Sequence, residues 1–298
     1  RGSDPQYNSY LIDDIPIFNP MHFMGIHSVI NNNLIKEIDL YSSAFPAQYG
    51  CATAAVININ TIDDVKEFSG YTDIGLLSAS GLIQSPILRD SNGGLHFDPP
   101  SEAVSGNAKE YSNAGYAIAS GRFGYLSVFI PLIYRVVAGE KLDSVPEYWD
   151  YQAKMKYFFT KKHSLTILLM GSSDYFRLLD KDADVSDSDD PIFEGADFKM
   201  KADWSAHSQG LYYTWQPGDL LSNRLMTYGA LIGYYSYLSV DGPYVATWLK
   251  DIRVDSKPYI IGFKDRLQYE PLKDHVQITA GAEYTLYWFT AEGKTLMN

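Results

Sequence analysis

"HVQITAGAEYTLYW", residues 275–288, alternates almost without fault. Val276, Ile278, Ala280, Ala282, Tyr284, Leu286 and Trp288 fall on one side, and Gln277, Thr279, Gly281, Glu283 and Thr285 on the other. A period of two is the mark of a strand with one apolar face. The preceding "YIIGFKDRLQY" (259–269) repeats the pattern, setting Tyr259, Ile261, Phe263, Leu267 and Tyr269 against Gly262, Lys264, Arg266 and Gln268, with Asp265 the exception. "EPLKD" (270–274) between them reads as a tight turn.

The layout recurs upstream, and the chain from residue 65 onward reads as strands. "YWDYQAKMKYFF" (148–159) and "HSLTILLMGSSDYFRL" (163–178) flank "TKK", while "GLYYTWQ" (210–216) and "RLMTYGALIGYYSYL" (224–238) flank "PGDLLSN". These short turns alternate with long polar connections, residues 179–209 and 239–257. Short turns at one end and long loops at the other predict an outer-membrane β-barrel, whose tilted strands need ~9 to 11 residues to cross the apolar layer. Aromatic residues gather near segment ends, in Tyr157-Phe158-Phe159, Tyr234-Tyr235 and Tyr287-Trp288-Phe289, where interface girdles belong. A soluble β-sandwich that binds glycans also alternates and stays open as an alternative.

Composition narrows the function classes. With 24 Lys and Arg against 36 Asp and Glu, the net charge of −12 argues against nucleic acid as a partner, because phosphate binding needs a basic face. The 24 tyrosines suit surfaces that are apolar in body and wet at the tip. One cysteine, Cys51, excludes an internal disulfide and reads as a small buried filler. The longest apolar run, "YLSVFIPLIYRVVA" (125–138), is interrupted by Pro131 and Arg135 and falls short of the ~18 residues a spanning helix needs. The chain begins Arg1-Gly2-Ser3-Asp4 and reads as an excerpt, so the absence of a targeting segment carries no weight.

Residues 1–64 differ from the rest. "NSYLIDDIPIF" (8–18), "IKEIDLY" (35–41) and "AAVININT" (54–61) read as short strands, and "MHFMGIHSVINNNLI" (21–35) has weak helical periodicity. Gly50 after Tyr49 predicts a bend at positive φ, and Ala47, Ala52, Ala54 and Ala55 predict close backbone approach. The expectation is a compact α+β domain over 1–64 ahead of the strands of 65–298.

"RGSDPQYNSYLIDDIPIFNP" (1–20) followed by "IKEIDLYSSAFPAQYGCATAAVININT" (35–61) resembles the plug domain of TonB-dependent outer-membrane receptors. The matching positions are Arg1, Gly2, Asp13, Asp14 and Pro16, then Ile35 to Tyr41, Pro46, Ala47, Tyr49 and Gly50, and Val56 to Ile59. Asp14 stands where the family carries Gly, and aspartate tolerates the left-handed backbone better than most residues. The resemblance covers the first fifth of the chain directly. It implies a mainly β protein: the C-terminal part of a plug over 1–64, then about nine or ten strands of an incomplete transmembrane barrel over 65–298. A plug needs a wide barrel of about twenty-two strands, so the chain is expected to be a fragment.

The implied function is a receptor and transporter in the outer membrane of a diderm bacterium. It binds a scarce solute, such as a siderophore or other iron chelate, haem, cobalamin or an oligosaccharide, and admits it when a TonB-type protein pulls the plug. The alternatives are a passive porin-like barrel or adhesin without energy coupling, and the soluble sandwich. The implied partners are that energy-transducing protein, outer-membrane lipid and the small-molecule or metal-chelate ligand. Asn19, Pro20 and His22 are the candidates for the ligand side of the plug, and Arg1 for a latch against a lumen-facing acid such as Glu283.

Other clusters are weaker. "DKDADVSDSDD" (180–190) spaces Asp180, Asp182 and Asp184 like the start of a calcium loop, but Val185 and Pro191 stand where such a loop needs Gly and Glu. It reads first as a solvated loop. No nucleophile elbow, zinc-protease motif or phosphate-cradling loop is present, so no catalytic residue and no cofactor are expected.

Overall fold

The computed structural model describes residues 7–22, 25, 27–42, 44–50, 53–97, 111–139, 146–180, 197–241, 251–273 and 275–295. The fold is mainly β, in two sheets. The smaller has four strands, β1 (Ser9–Ile12), β2 (Ile15–Ile17), β3 (Ile35–Tyr41) and β4 (Val56–Thr61), in the order β2-β1-β4-β3. β1 and β4 pair in parallel and the other neighbours antiparallel. Asp13 and Asp14 form the β1–β2 turn at φ +47° and +73°, so Asp14 does take the left-handed backbone. The stretch with weak helical periodicity holds a bridge between Met21 and Ser28 and a 3-10 turn at Asn32–Leu34.

The larger sheet follows a simple antiparallel meander. Its path is β5 (Ser69–Ile74), β6 (Ser78–Arg89), β8 (Ser112–Gly124), β9 (Glu147–Thr160), β10 (His163–Asp180), β11 (Asp197–Gly218), β12 (Leu221–Asp241), β14 (Tyr259–Leu272) and β15 (Val276–Trp288). Three short strands lie off this path: β7 (Leu95–His96) on β6, β13 (Ile252–Ser256) on β12, and β16 (Ala291–Thr295) on β13. β5 and β15 are not paired with each other, so the sheet is open. The tight turns after β9, β11 and β14 lie at one end. At that end, too, the chain runs from Arg89 to Ser112.

Register rows sort the side chains of this wall into two faces. One row on the inner face runs Leu82, Ser120, Gln152, Met170, Ser208, Ala230 and Ile260; the next outward row runs Ile83, Ala119, Ala153, Leu169, Gln209, Gly229 and Ile261. The inner face carries the smaller sheet. Ile12, Ile15, Ile17, Val29, Ile30 and Ile59 pack there against Leu168, Met170, Tyr212, Met226 and Tyr228. Burying each such side chain stabilises by ~1.5–3 kcal/mol, which makes this the main apolar seat of the small domain. On the far side of the small sheet Leu11, Tyr49 and Val56 form a separate cluster.

The outward face is apolar and exposed at Ile83, Met155, Leu169, Leu211, Leu225, Phe263, Ile278 and Tyr284. Aromatic residues mark both its edges: Phe123 pairs with Trp149 toward the long loops, and Tyr157, Phe159, Tyr213 and Trp215 lie toward the tight turns. From Trp149 to Phe159, at ~3.3 Å per residue and ~40° tilt, the band spans ~25 Å, the height of a bilayer's apolar layer. Asp265, the exception in the alternation, faces outward and accepts a hydrogen bond from Asn223 Nδ2 at 2.7 Å.

Three sequence expectations need correction. Residues 126–138 are not a strand but helix α1 (Leu126–Ala138), capped by Gly139 at φ +77° whose N–H donates to Arg135 O. The long connection expected over 179–209 is shorter, because β11 already runs from Asp197. Gly50 has no positive φ, is exposed, and a Cβ there would meet nothing; the turn lies upstream, where Tyr49 N donates to Pro46 O at 3.0 Å. Ala47 is exposed as well, so Tyr49, not the small residues, anchors this stretch.

One glycine has a structural reason. Gly115 sits at φ +147° beside a bulge in β8, its N–H held by Asn113 Oδ1 at 2.8 Å. A Cβ there would lie 1.9 Å from Lys156 O, a backbone atom. Gly115→Ala is expected to part β8 from β9 locally, at a cost of at least ~1–3 kcal/mol, read as a lowered thermal midpoint in detergent. An unchanged midpoint would contradict it.

Candidate functional site

The small sheet is bolted to the wall at two heights by buried charge. Nearer the tight turns, the Asp13-Asp14 turn meets three wall cations. Lys154 Nζ lies 2.9 Å from Asp13 Oδ2 and donates to Thr61 Oγ1 at 2.7 Å and to Ile62 O at 3.1 Å, so all three ammonium protons are placed. Thr61 completes the knot, donating its hydroxyl to Asp13 Oδ2 at 2.6 Å and its N–H to Asp13 Oδ1 at 2.9 Å. Asp14 Oδ2 takes Arg224 Nη1 at 3.1 Å and Arg266 Nη2 at 2.9 Å. Tyr212 donates to Asp13 O at 2.7 Å, and Lys264 donates to Gln48 O at 3.1 Å. Two successive aspartates in the left-handed backbone thus place one carboxylate between Thr61 and Lys154 and the next against Arg224 and Arg266.

Nearer the long loops the signs reverse. His22, on a loop of the small domain, is fully buried between two wall carboxylates: Nε2 is 3.1 Å from Asp150 Oδ2 and Nδ1 is 3.0 Å from Asp174 Oδ1. Both ring nitrogens face acceptors, which favours the doubly protonated ring. Burial opposes that charge, but the hydrogen bonds and negative charges of Asp150 and Asp174 outweigh it and raise the His22 pKa above its ordinary 6.5. Asp150 also accepts from Arg122 Nε at 2.7 Å and Gln152 Nε2 at 3.1 Å. Arg122 reaches the carbonyl of Ser28, and Gln152 Nε2 donates to Val29 O at 2.6 Å. The loop is thereby held by side chain and backbone together.

Between small sheet and wall, on the tight-turn side, lies a cavity of about 340 Å³ whose lining includes Asp13, Asp14, Lys154, Lys156, Arg224 and Arg266. Its charges are mixed in sign. On the other side, beyond His22, the wall changes character. Past the row Trp149, Ser173, Ser205 and Gly233 the outward positions interleave Arg177, Lys201, Asp203, Arg253 and Asp255 with the tyrosines Tyr175, Tyr235 and Tyr237. Trp204, Tyr234 and Val254 there occupy the inward set and remain exposed, with Trp204 and Tyr234 edge to face at 5.8 Å. The wall thus leaves its apolar band at that row and continues as a rim lined inside by aromatic and aliphatic groups.

The residues singled out from sequence fall as follows. Asp13, Asp14 and Pro16 lie at the β1–β2 turn, and Tyr49 is buried beside the Lys264 ammonium, 5.9 Å from its ring centre. Asn19 and Pro20 are half-buried at the base of the His22 loop. His22 spends both nitrogens on the wall. Arg1, Gly2, Cys51, Asp182 and Asp184 lie outside the described residues, and Asp180 ends β10. Glu283 does face inward, where Tyr228 donates to it at 2.8 Å and Lys264 lies 3.5 Å away. Sequence reading did not find Lys154, Arg224, Arg266, Asp150 or Asp174, although each is a charge in the polar column of an alternating strand. Among the described residues no group of three His, Cys, Asp or Glu could hold a metal.

No family model matches the chain, and no curated protein does. Among solved structures the chain is similar to the FpvAI–pyocin S2 complex, with TM-score 0.43 and 10% identity over 97% of this chain and 46% of that one. It is also similar to the FrpB iron transporter from Neisseria meningitidis (TM-score 0.41, 10% identity, 97% and 54%) and the siderophore receptor PirA from Acinetobacter baumannii (0.39, 12%, 100% and 52%). The likenesses are distant. The chain spans about half the length of these proteins, and they fix neither its family nor its ligand.

Proposed function

We propose that the chain is the plug and part of the wall of an outer-membrane receptor that binds a scarce solute and admits it by plug movement. One observation carries this reading: a small domain seated by buried ion pairs on the polar face of a sheet whose opposite face is an apolar, aromatic-edged band. A lipid bilayer fits the band, and a separable domain fits the seats. The inward rim of Trp204 and Tyr234 is then the entrance, and the solute meets it before reaching the His22 loop. Release follows when a TonB-type protein, energised from the inner membrane, pulls the plug and opens both seats. Iron chelates, haem, cobalamin and oligosaccharides are the solute classes to test.

A strain lacking the gene is expected to lose uptake of one of these solutes, measured with labelled ferric chelates, haem, cobalamin and maltooligosaccharides. The complemented strain is expected to lose it again when the TonB-type protein is removed. Unchanged uptake of all of them in the deletion strain would contradict transport. Uptake that persists without the energy transducer would favour a passive barrel.

A further inference from the structure

Helix α1 is built poorly for water. It has thirteen residues, Pro131 in its interior, several β-branched side chains and no acidic residue, with Arg135 its one charge. Isolated helices shorter than ~12–15 residues are marginal even with good helix formers, and an interior proline costs ~3 kcal/mol more. Packing supports only its start. Leu126 is buried, Tyr125 N donates to Leu77 O at 3.0 Å, and the Tyr125 hydroxyl bonds to Ser78 O at 3.0 Å and to Gly75 O. Beyond Pro131 Leu132 and Ile133 are exposed, and Val136 and Val137 are 79% and 81% exposed.

Its place in the wall says what covers that face. α1 starts at Leu126, three residues after Phe123, which pairs with Trp149, which pairs in turn with Ser173 and then through it with Ser205. This is the row at which the outward face of β10 to β13 changes from mainly apolar to tyrosines interleaved with charges. Val128, Leu132, Val136, Ile133 and Val137 fall on one arc of a 3.6-residue helix, and Ser127, Pro131, Tyr134 and Arg135 on the other. An apolar arc leaving the wall at the aromatic edge of its lipid-facing band, in a helix whose one charge is basic and whose other arc carries a tyrosine, suits the membrane–water boundary, where aromatic and basic groups sit at headgroup level.

We propose that α1 lies in the membrane–water boundary on the long-loop side, its Leu132-Val136-Ile133 arc in the acyl region and Arg135, beside Val128 at the edge of that arc, at headgroup level. The inference rests on the membrane reading of the wall. Lipid then supplies the support that protein packing does not, and α1 fixes how deep the rim sits.

The test uses the full chain with Cys51→Ser, carrying an environment-sensitive fluorophore at either Val137→Cys or Phe263→Cys. The protein is reconstituted in phosphatidylethanolamine–phosphatidylglycerol vesicles containing lipids with a nitroxide near the headgroup or deep in the chain. The Val137 probe is expected to lose most of its emission to the shallow nitroxide, and the Phe263 probe to the deep one. Quenching at Phe263 with none at Val137, or with only the deep nitroxide effective at Val137, would overturn the interfacial helix while leaving the membrane wall intact. No quenching at either position would overturn the membrane reading and this inference with it.

Discussion

Lys154→Met is expected to release the tight-turn side of the small domain. The substitution keeps the length and apolar stem of the side chain but leaves Asp13 without the ammonium that its carboxylate, the Thr61 hydroxyl and the Ile62 carbonyl share. Removing one member of a buried pair costs ~3–5 kcal/mol, because the remaining charge stays desolvated. Hydrogen exchange should rise sharply in residues 9–17 and 56–61 while β10 to β12 keep their protection. Asp13→Asn in the Lys154→Met background should recover part of the loss, since the stranded charge is then gone. If the single variant leaves exchange of 9–17 unchanged, Lys154 does not hold the seat.

His22→Ala is expected to loosen the long-loop side to a similar degree. It strips a shared cation from Asp150 and Asp174; Arg122 still pairs with Asp150, so the cost should fall at or below the low end of ~3–5 kcal/mol. This seat also carries a pH dependence whose sign is fixed. The folded pKa of His22 is raised above 6.5, so its contribution is complete below about pH 6.5 and disappears as pH rises through the folded value. Protection of residues 27–31 from exchange, corrected for intrinsic rate, should therefore fall as the pH rises above about 6.5. His22→Gln should flatten that profile, and a profile that stays steep in the variant would place the titration elsewhere.

The sequence made parts of this fold legible and hid others for identifiable reasons. Strands β14 and β15 could be read to the face, because one face of each is apolar and the other carries polar and charged side chains turned toward the small sheet, so period two survives. The same rule failed from Asp197 to Trp204. Lys199, Lys201 and Asp203 alternate there with Met200, Ala202 and Trp204, but the apolar set now points inward and the segment resembled a solvated loop. α1 was missed because a β-branched apolar run between two strands looks like another strand, and only Gly139 signalled a helix end. The Asp13-Asp14 turn was visible as a pattern, whereas its partners Lys154, Arg224 and Arg266 stand 141 to 252 positions away, beyond any local signal. The expected latch between Arg1 and Glu283 ran from a small-domain cation to a wall acid. Arg1 lies outside the described residues; the seat built by Asp13 and Asp14 has the opposite polarity, and His22 between Asp150 and Asp174 has the expected one.

The central claim is that a plug seated in this wall must leave its seat for the solute to pass. Ile15 and Gly210 allow a direct test, since a Cβ on Gly210 would lie 3.0 Å from Ile15 Cγ1, within reach of the ~3.5–4.5 Å Cβ separation of a disulfide. In cells expressing the Cys51→Ser chain with Ile15→Cys and Gly210→Cys, uptake of the labelled solute lost by the deletion strain should stop under oxidising conditions and return on reduction. Undiminished uptake with the disulfide formed would contradict the account.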